Sequence, residues 1–338
     1  MNQKPTLKVL AEKLQLSTST VSKALKDSAE ISVDTKTRVK ELAKLMGYRP
    51  NTAAASLRNR ETRTIAVVLP EIVNDFFGQV LMGIEEEASQ HNYKIVICIS
   101  NESYIKERDY IEMFSNGGAV DGFIIAASME TQELNQYEHY NEILNSNLKL
   151  VMFDRVIDDL DCDKIIVDDA ASGSRLVDFL KKKGDRSICV ASTINKLSVG
   201  QLREQGIRLK VDNCPDLMLE YVLEDEDDVF MKKMEETLSS KKTDAIIALD
   251  QRSGIMALNK AKELNIKVPE ELQIICYSNS TMAKYSYPQL TVVDQHSKEL
   301  GKKTFTRILN LMKNKDEVQV TRIHTLKTTL LERGTTRK

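Results

Sequence analysis

From Thr64 onward, short apolar runs of strand length alternate with longer amphipathic stretches, and this alternation restricts the fold more than any other feature of the chain. The runs fall at 65–69, 95–99, 122–126, 150–153, 165–167, 188–191, 245–249, 274–277 and 291–293, and helical patterns such as 78–91, 170–183 and 252–265 lie between them. A strand–helix–strand rhythm of this kind predicts parallel sheets covered by helices on both faces. Nine strands spread over about 270 residues suit two lobes better than one sheet. No internal repeat with a period of 20–50 residues is visible.

The 338 residues are too many for one ordinary core and point to two or three folding units. A content of 41% hydrophobic and 29% charged residues is that of a soluble globular protein. No run of eighteen apolar residues is present, and Met1-Asn2-Gln3-Lys4-Pro5-Thr6 lacks the apolar core of a secretory signal, so a cytoplasmic protein without a membrane span is expected. The five cysteines (Cys98, Cys162, Cys189, Cys214 and Cys276) are widely spaced, mostly in apolar runs, and read as reduced core residues. None of the four histidines pairs with a cysteine at a zinc-like spacing, so no metal and no cofactor is expected.

The net charge of −2 conceals a division. Residues 1–60 hold twelve Lys/Arg against five Asp/Glu, a balance of +7, and the totals of 48 and 50 leave 36 against 45, or −9, for the rest. A basic head on an acidic body suits a polyanionic partner reached through the head, although a merely solvated basic surface has the same charge. The head also carries a motif. Thr6 precedes a stripe of Leu7, Val9, Leu10, Ala11 and Leu14; Ser17 precedes Val21, Ala24 and Leu25; Ser32 precedes Val39, Leu42, Ala43 and Met46, with Gly47 as a stop. Each is a capping residue before an amphipathic helix, and the first two helices with their tight turn form a helix-turn-helix. Thr18, Ser19, Ser22 and Lys23 face outward on the second helix, small enough to approach base edges and phosphates in a major groove.

Gly47-Tyr48-Arg49-Pro50-Asn51-Thr52-Ala53-Ala54-Ala55-Ser56-Leu57-Arg58 follows. Pro50 and Asn51 can start a helix, but about seven residues cannot hold one alone in water, so the segment is expected to fold on docking. The three alanines offer a smooth surface to a second helix, and Leu57 beside Arg58 suits an apolar wedge in a minor groove.

Enzyme signatures are missing from the body. It contains no G-x-G-x-x-G, Walker A or G-x-S-x-G string, and Gly301-Lys302-Lys303-Thr304 lacks phosphate-loop spacing and reads as helix. The acidic run Glu224-Asp225-Glu226-Asp227-Asp228 reads as a solvated approach to a helix.

The strings Ser17-Thr18-Ser19-Thr20-Val21-Ser22-Lys23-Ala24-Leu25, Gly47-Tyr48-Arg49-Pro50-Asn51, Ser56-Leu57-Arg58 and Thr62-Arg63-Thr64-Ile65-Ala66-Val67-Val68-Leu69-Pro70, in this order and spacing, resemble the LacI/GalR family of bacterial regulators. The resemblance implies an N-terminal all-α helix-turn-helix domain (1–48), a hinge helix and linker (49–61) and an α/β two-lobed, periplasmic-binding-protein-like domain (62–338) for effector binding and dimerisation. Its lobes are expected at about 62–157 with 292–322 and at about 158–291 with 323–338.

By the same resemblance, Thr18, Ser19 and Lys23 fall on base-reading positions and Thr20 and Ser22 among phosphate contacts. Tyr48, Asn51, Ala54, Leu57 and Arg58 complete the implied DNA surface, with Leu57 as the wedge. Phe76, Phe77, Asp154, Arg203, Leu249, Asp250 and Ser278 fall on effector-binding positions. The implied partners are a palindromic double-stranded operator, a second copy of the chain and a small-molecule effector of carbohydrate kind.

The chain departs from the family pattern at several points. Asp75 replaces a proline in the N-P-F-F string, Lys23 replaces arginine or histidine, and Ile207 replaces an aromatic residue. Leu249-Asp250 stands where an asparagine–aspartate pair is common, and Ser278-Asn279 where an aspartate is usual. Each buried hydroxyl left unpaired costs about 1–3 kcal/mol, so these losses weaken a simple-sugar reading. The chain stops after Leu330-Leu331-Glu332-Arg333-Gly334-Thr335-Thr336, which resembles the family's last strand, and a tetramer built on a terminal coiled coil is not expected. The first reading is a repressor modulated by a ligand. Others are a DNA binder whose cleft senses a protein or nothing, a solute-binding module, and an enzyme with a regulatory head.

Overall fold

A computed structural model of the chain describes residues 5–48, 61–146, 148–278, 280–313 and 321–338. The chain divides into two compact units, Met1–Thr62 and Arg63–Lys338. The expected hinge positions Asn51, Ala54, Leu57 and Arg58 lie outside the described residues.

In the first unit, α1 (Leu7–Leu14), α2 (Thr18–Leu25) and α3 (Val33–Leu45) are 8, 8 and 13 residues long. Helices this short do not persist alone, so they depend on caps and on one another. Thr6, Ser17 and Ser32 are the N-caps, and their hydroxyls accept from the amides of Val9, Thr20 and Thr35 at 3.3, 3.0 and 3.3 Å. Gly47 takes a positive φ of 63° and lets the Tyr48 amide turn back to the Ala43 carbonyl at 2.8 Å, closing α3. Leu10, Ala11, Val21, Ala24, Val39 and Ala43 form the core, ringed by half-buried Leu7, Leu14, Leu16, Leu25, Ile31, Leu42, Met46 and Tyr48.

The second unit contains two six-stranded sheets. The first is ordered β11-β5-β4-β3-β1-β2, all parallel, from β1 (Thr64–Leu69), β2 (Lys94–Ile99), β3 (Gly122–Ile125), β4 (Lys149–Phe153), β5 (Asp163–Val167) and β11 (Ile323–Leu326). The second is ordered β12-β10-β9-β8-β6-β7, from β6 (Ser187–Ser192), β7 (Met218–Leu223), β8 (Ala245–Ala248), β9 (Gln273–Tyr277), β10 (Thr291–Asp294) and β12 (Thr329–Leu331). Among the described residues β12 alone runs antiparallel, against β10.

Alternate residues of each strand serve opposite faces, which explains why the runs are apolar throughout. In β1, Ile65, Val67 and Leu69 meet α4 (Asp75–Gln90) and α13 (Ser297–Lys313), through Phe77, Val80, Ile84, Phe305 and Ile308. Ala66 and Val68 face the other way, with Ile111 of α5 (Tyr104–Ser115) and Tyr140 and Ile143 of α7 (Tyr140–Leu144); α6 (Met129–Leu134) lies between these two helices in sequence. The second sheet is covered on one side by α8 (Asp169–Lys183) and α9 (Ser198–Asp212), and on the other by α10 (Asp227–Ser239) and α11 (Gln251–Glu263). The short α12 (Thr281–Tyr285) follows β9. Gly301-Lys302-Lys303-Thr304 lies within α13, where Gly301 allows the close approach of α4: a Cβ there would sit 2.0 Å from the Val80 carbonyl oxygen.

Strand pairing corrects the expected lobe boundaries. Residues 163–167 and 323–326, expected in the second lobe, form β5 and β11 of the first sheet; residues 291–294, split at the expected boundary, form β10 of the second. Hydrophobic pattern shows that a run is buried but not which neighbour it bonds to, and that choice rests on backbone pairing. Strands β7 and β11 were missed as well, because Glu220 and Tyr221 in one and His324 and Thr325 in the other interrupt the apolar run, which the edge strand β2 keeps intact. The chain thus crosses between lobes three times, after β5, after β10 and between β11 and β12. Among the described residues no helix is long and apolar enough to cross a membrane. The five cysteines are free, and all but the partly exposed Cys214 are buried.

Candidate functional site

In open parallel sheets, the loops at the carboxyl ends of the strands diverge and leave a crevice. Here the two sheets present those ends to each other. Asn74–Phe77 follow β1, Asp154 and Arg155 follow β4, Ile194 and Leu197 follow β6, Asp250 and Gln251 follow β8, Ser278 and Ser280 follow β9, and Gln295 follows β10; all of them line one cleft. Its space not filled by protein atoms is about 600 Å³, part of it shared with open solvent.

Arg203 stands at its base. The side chain is buried: Nε donates to Asp169 at 2.6 Å, Nη1 donates to the Leu249 carbonyl at 2.7 Å, and the guanidinium lies 4.3 Å from the centre of the Tyr277 ring. Tyr277 is itself fixed by a 2.6 Å bond between its hydroxyl and Ser172. Burial works against the Arg203 charge, but Asp169, Tyr277 and Asp154 outweigh it and hold the group protonated. Asp169 is pushed upward by the same burial, opposed by Arg203. This geometry needs α8 and α9 almost in contact, which Gly206 permits: a Cβ there would lie 1.9 Å from the Ala170 carbonyl oxygen.

Asp154 is the most exceptional lining residue. It holds a left-handed φ of 55°, unusual for any residue but glycine and asparagine. Burial raises its carboxyl from 3.8 to about 6, with Arg203 and Arg155 pulling the other way. Among the described residues no group donates a hydrogen bond to this carboxylate. Its neighbour Arg155 is committed to Glu102, with Nη1 2.7 Å from both carboxylate oxygens, and lies 5.3 Å from the centre of the Phe77 ring. Phe76 and Phe77 meet edge to face at 5.2 Å, Phe76 half-buried beside the cleft and Phe77 sunk into the first lobe's core.

Asp250 is occupied structurally. It caps α11 by accepting from the Ser253 amide at 2.8 Å, and it receives the Thr193 amide and hydroxyl at 2.9 and 3.0 Å. Ser278 donates to Gln251 at 2.9 Å and accepts from the Ser280 amide at 3.1 Å. Leu249 is a correction. Alternation with Ala245 and Ile247 turns its side chain into the core beneath α8 and α9, fully buried, and only its carbonyl serves the site through Arg203. Six of the seven effector positions expected from the sequence therefore border the cleft. Sequence reasoning missed Asp169, Glu102, Gln295 and Ser297; the acidic pair Asp168-Asp169 opening α8 was the available signal for the first. Among the described residues no group of His, Cys, Asp or Glu is arranged to hold a metal.

In the first unit, α2 exposes Thr18, Ser19 and Lys23, with Thr20 and Ser22 half-exposed. Ser17 draws the hydroxyls of Ser19 and Thr20 to itself at 2.7 and 2.8 Å, gathering donors at the electropositive end of the helix. The Lys23 ammonium pairs with Glu30, both well exposed. Tyr48 rests half-buried against the three-helix core.

Residues 6–51 match the model of bacterial regulatory proteins of the lacI family, and residues 177–336 match a periplasmic binding protein-like domain. The sucrose operon repressor of Streptococcus mutans is 30% identical over 290 residues, covering 85% of this chain and 86% of that one. The chain belongs to the lacI family of bacterial regulatory proteins. Among other lacI-family relatives, the HTH-type transcriptional repressor PurR of Vibrio cholerae (strain M66-2) is 28% identical over 340 residues, 98% of this chain and 97% of the relative. The lac repressor dimer bound to operator and the anti-inducer ONPF has the same fold, with a TM-score of 0.85 at 19% identity over 99% of each chain. This lacI-family chain is thus a DNA-binding transcriptional regulator, and its relatives are repressors rather than enzymes.

Proposed function

We propose that the chain acts in the cytoplasm as a repressor that binds a palindromic operator as a homodimer and answers to a small uncharged polar effector in the cleft. The exposed face of α2 carries this reading. Thr18, Ser19 and Lys23 supply donors to base edges, Thr20 and Ser22 reach phosphates, and Tyr48, Asn51, Ala54, Leu57 and Arg58 extend the contact into the minor groove. One helix of 8 residues reads too few base pairs for a unique genomic site, and a two-fold pair doubles that number. The lac repressor likeness is to a dimer on its operator, which supports the same arrangement.

The chemistry of the cleft supports the effector class. Both arginines are already neutralised, Arg203 by Asp169 and Arg155 by Glu102, while among the described residues none donates to Asp154. A ligand carrying phosphate or carboxylate would meet carboxylates, and among the described lining residues the two arginines are the cations and both are already paired. A polyhydroxylated ligand would donate into Asp154, stack on Phe76 and meet Asp250 and Ser278 at the opposite wall. The sucrose operon repressor among the relatives favours a carbohydrate.

Selection of bound sequences from random double-stranded DNA by the full-length protein tests the first part. Enrichment of a palindrome supports it; recovery of unrelated sequences would overturn it. Thermal shift with neutral sugars and their phosphate esters tests the second, and stabilisation by the esters alone would refute the uncharged class.

A further inference from the structure

The two lobes hold each other across the mouth of the cleft by hydrogen bonds of their own. At one edge Asp75, the first residue of α4, accepts from the amide of Thr281, the first residue of α12, at 3.0 Å. At another, the Gln132 side chain on α6 donates to the Ser198 hydroxyl at 2.9 Å and accepts from the Ser198 amide at 3.2 Å. Lys196 approaches Glu133 at 3.6 Å beside this pair. Each contact joins the first lobe, through α4 or α6, to the second, through α12 or the residues 196–198 that lead into α9.

Gln132 is presented on a braced turn. Buried Glu107 accepts from the Ser128 amide at 2.6 Å and the Thr131 hydroxyl at 3.0 Å, and Glu102 accepts from the Met129 amide at 2.8 Å. Asp75 has no such local duty. Asn74 already caps α4, accepting from the Phe76 amide at 3.0 Å, so position 75 is the first helical residue, where a backbone N–H is not needed and proline fits well. The family string has proline there. What aspartate adds is an acceptor that reaches the other lobe.

We propose that Asp75 is a positioning residue that latches the lobes to each other across the cleft, acting with the Gln132–Ser198 pair. These bonds are made by protein atoms alone, so an effector tunes a closure that the chain itself can make. The regulatory meaning rests on the cleft being the effector site; the closure itself does not.

Amide hydrogen exchange on the effector-free full-length protein tests the idea directly, because among the described residues the Thr281 and Ser198 amides find their acceptors across the cleft. Both are expected to exchange at least about fivefold more slowly than unprotected amides, the effect of one ordinary hydrogen bond. Asp75→Pro should abolish the protection of Thr281 and also reduce that of Ser198, while amides of β6 and β8 stay protected as proof of folding. Asp75→Asn, which keeps an acceptor oxygen, should retain most of the effect. Should Asp75→Pro not fold, Gln132→Ala should release Ser198 and loosen Thr281. Unprotected Thr281 and Ser198 in the wild type, or indifference of Ser198 to Asp75→Pro, would overturn the proposal. A failed effector screen beside intact protection would instead count against the sensing role of the cleft.

Discussion

Asp154→Asn is expected to stabilise the ligand-free protein while impairing its response to effector. The carboxyl ionises at about 6 in the folded chain against an ordinary value of 3.8, and burial is the main cause. An acid with a raised folded value holds its proton more tightly when folded, so its ionised form opposes folding. Moving the midpoint that far costs about 3 kcal/mol once the group is fully ionised. The penalty is complete above about pH 6, shrinks as the pH falls towards 3.8 and vanishes below it. Asparagine removes the charge, keeps the shape and tolerates the left-handed backbone at this position better than most residues. At pH 7.5 the variant should therefore gain up to about 3 kcal/mol, or roughly 6 °C in melting temperature for a body of this size. Urea unfolding of both proteins at pH 7.5, 6, 5 and 4 measures the difference. A gain that stays constant down to pH 4, or no gain at pH 7.5, would refute the reasoning. Stability gained by removing a cleft carboxylate is the usual signature of a group kept for binding.

Asp169→Ala should leave the Arg203 guanidinium buried without its counter-ion, at a cost of about 3–5 kcal/mol in denaturant unfolding; a loss under 1 kcal/mol would mean that Arg203 finds another partner. Ser17→Ala removes the acceptor for the Thr20 amide and should cost about 1 kcal/mol in the helical unit, with weaker operator binding in a gel-shift titration. Unchanged melting and binding would show that the cap does not order α2.

How much of this was legible in the sequence depends on the range of the interaction. The three helices of the head could be read from Thr6, Ser17, Ser32 and Gly47, because caps and stripes act within one or two turns. The buried strands were equally plain, since Val- and Ile-rich runs covered on both faces need no alternation to reveal them. The edge strands β7 and β11 were not, and neither was lobe membership. Leu249 shows the limit well: aligned with a polar ligand position, it was expected in the cleft, and strand alternation turned it inward.

By itself the sequence determined which segments are helix and which are buried strand, the basic head with its exposed hydroxyls, and the family to which the motifs point. Tertiary structure alone decided which strands share a sheet and how the site is wired. Arg203 meets Asp169 over 34 residues, and Asp75 meets Thr281 over 206. The physical reason is range. Periodicity and capping are properties of neighbours along the chain, whereas the partner of a buried charge is chosen by the folds of two lobes and leaves no periodic trace in either segment.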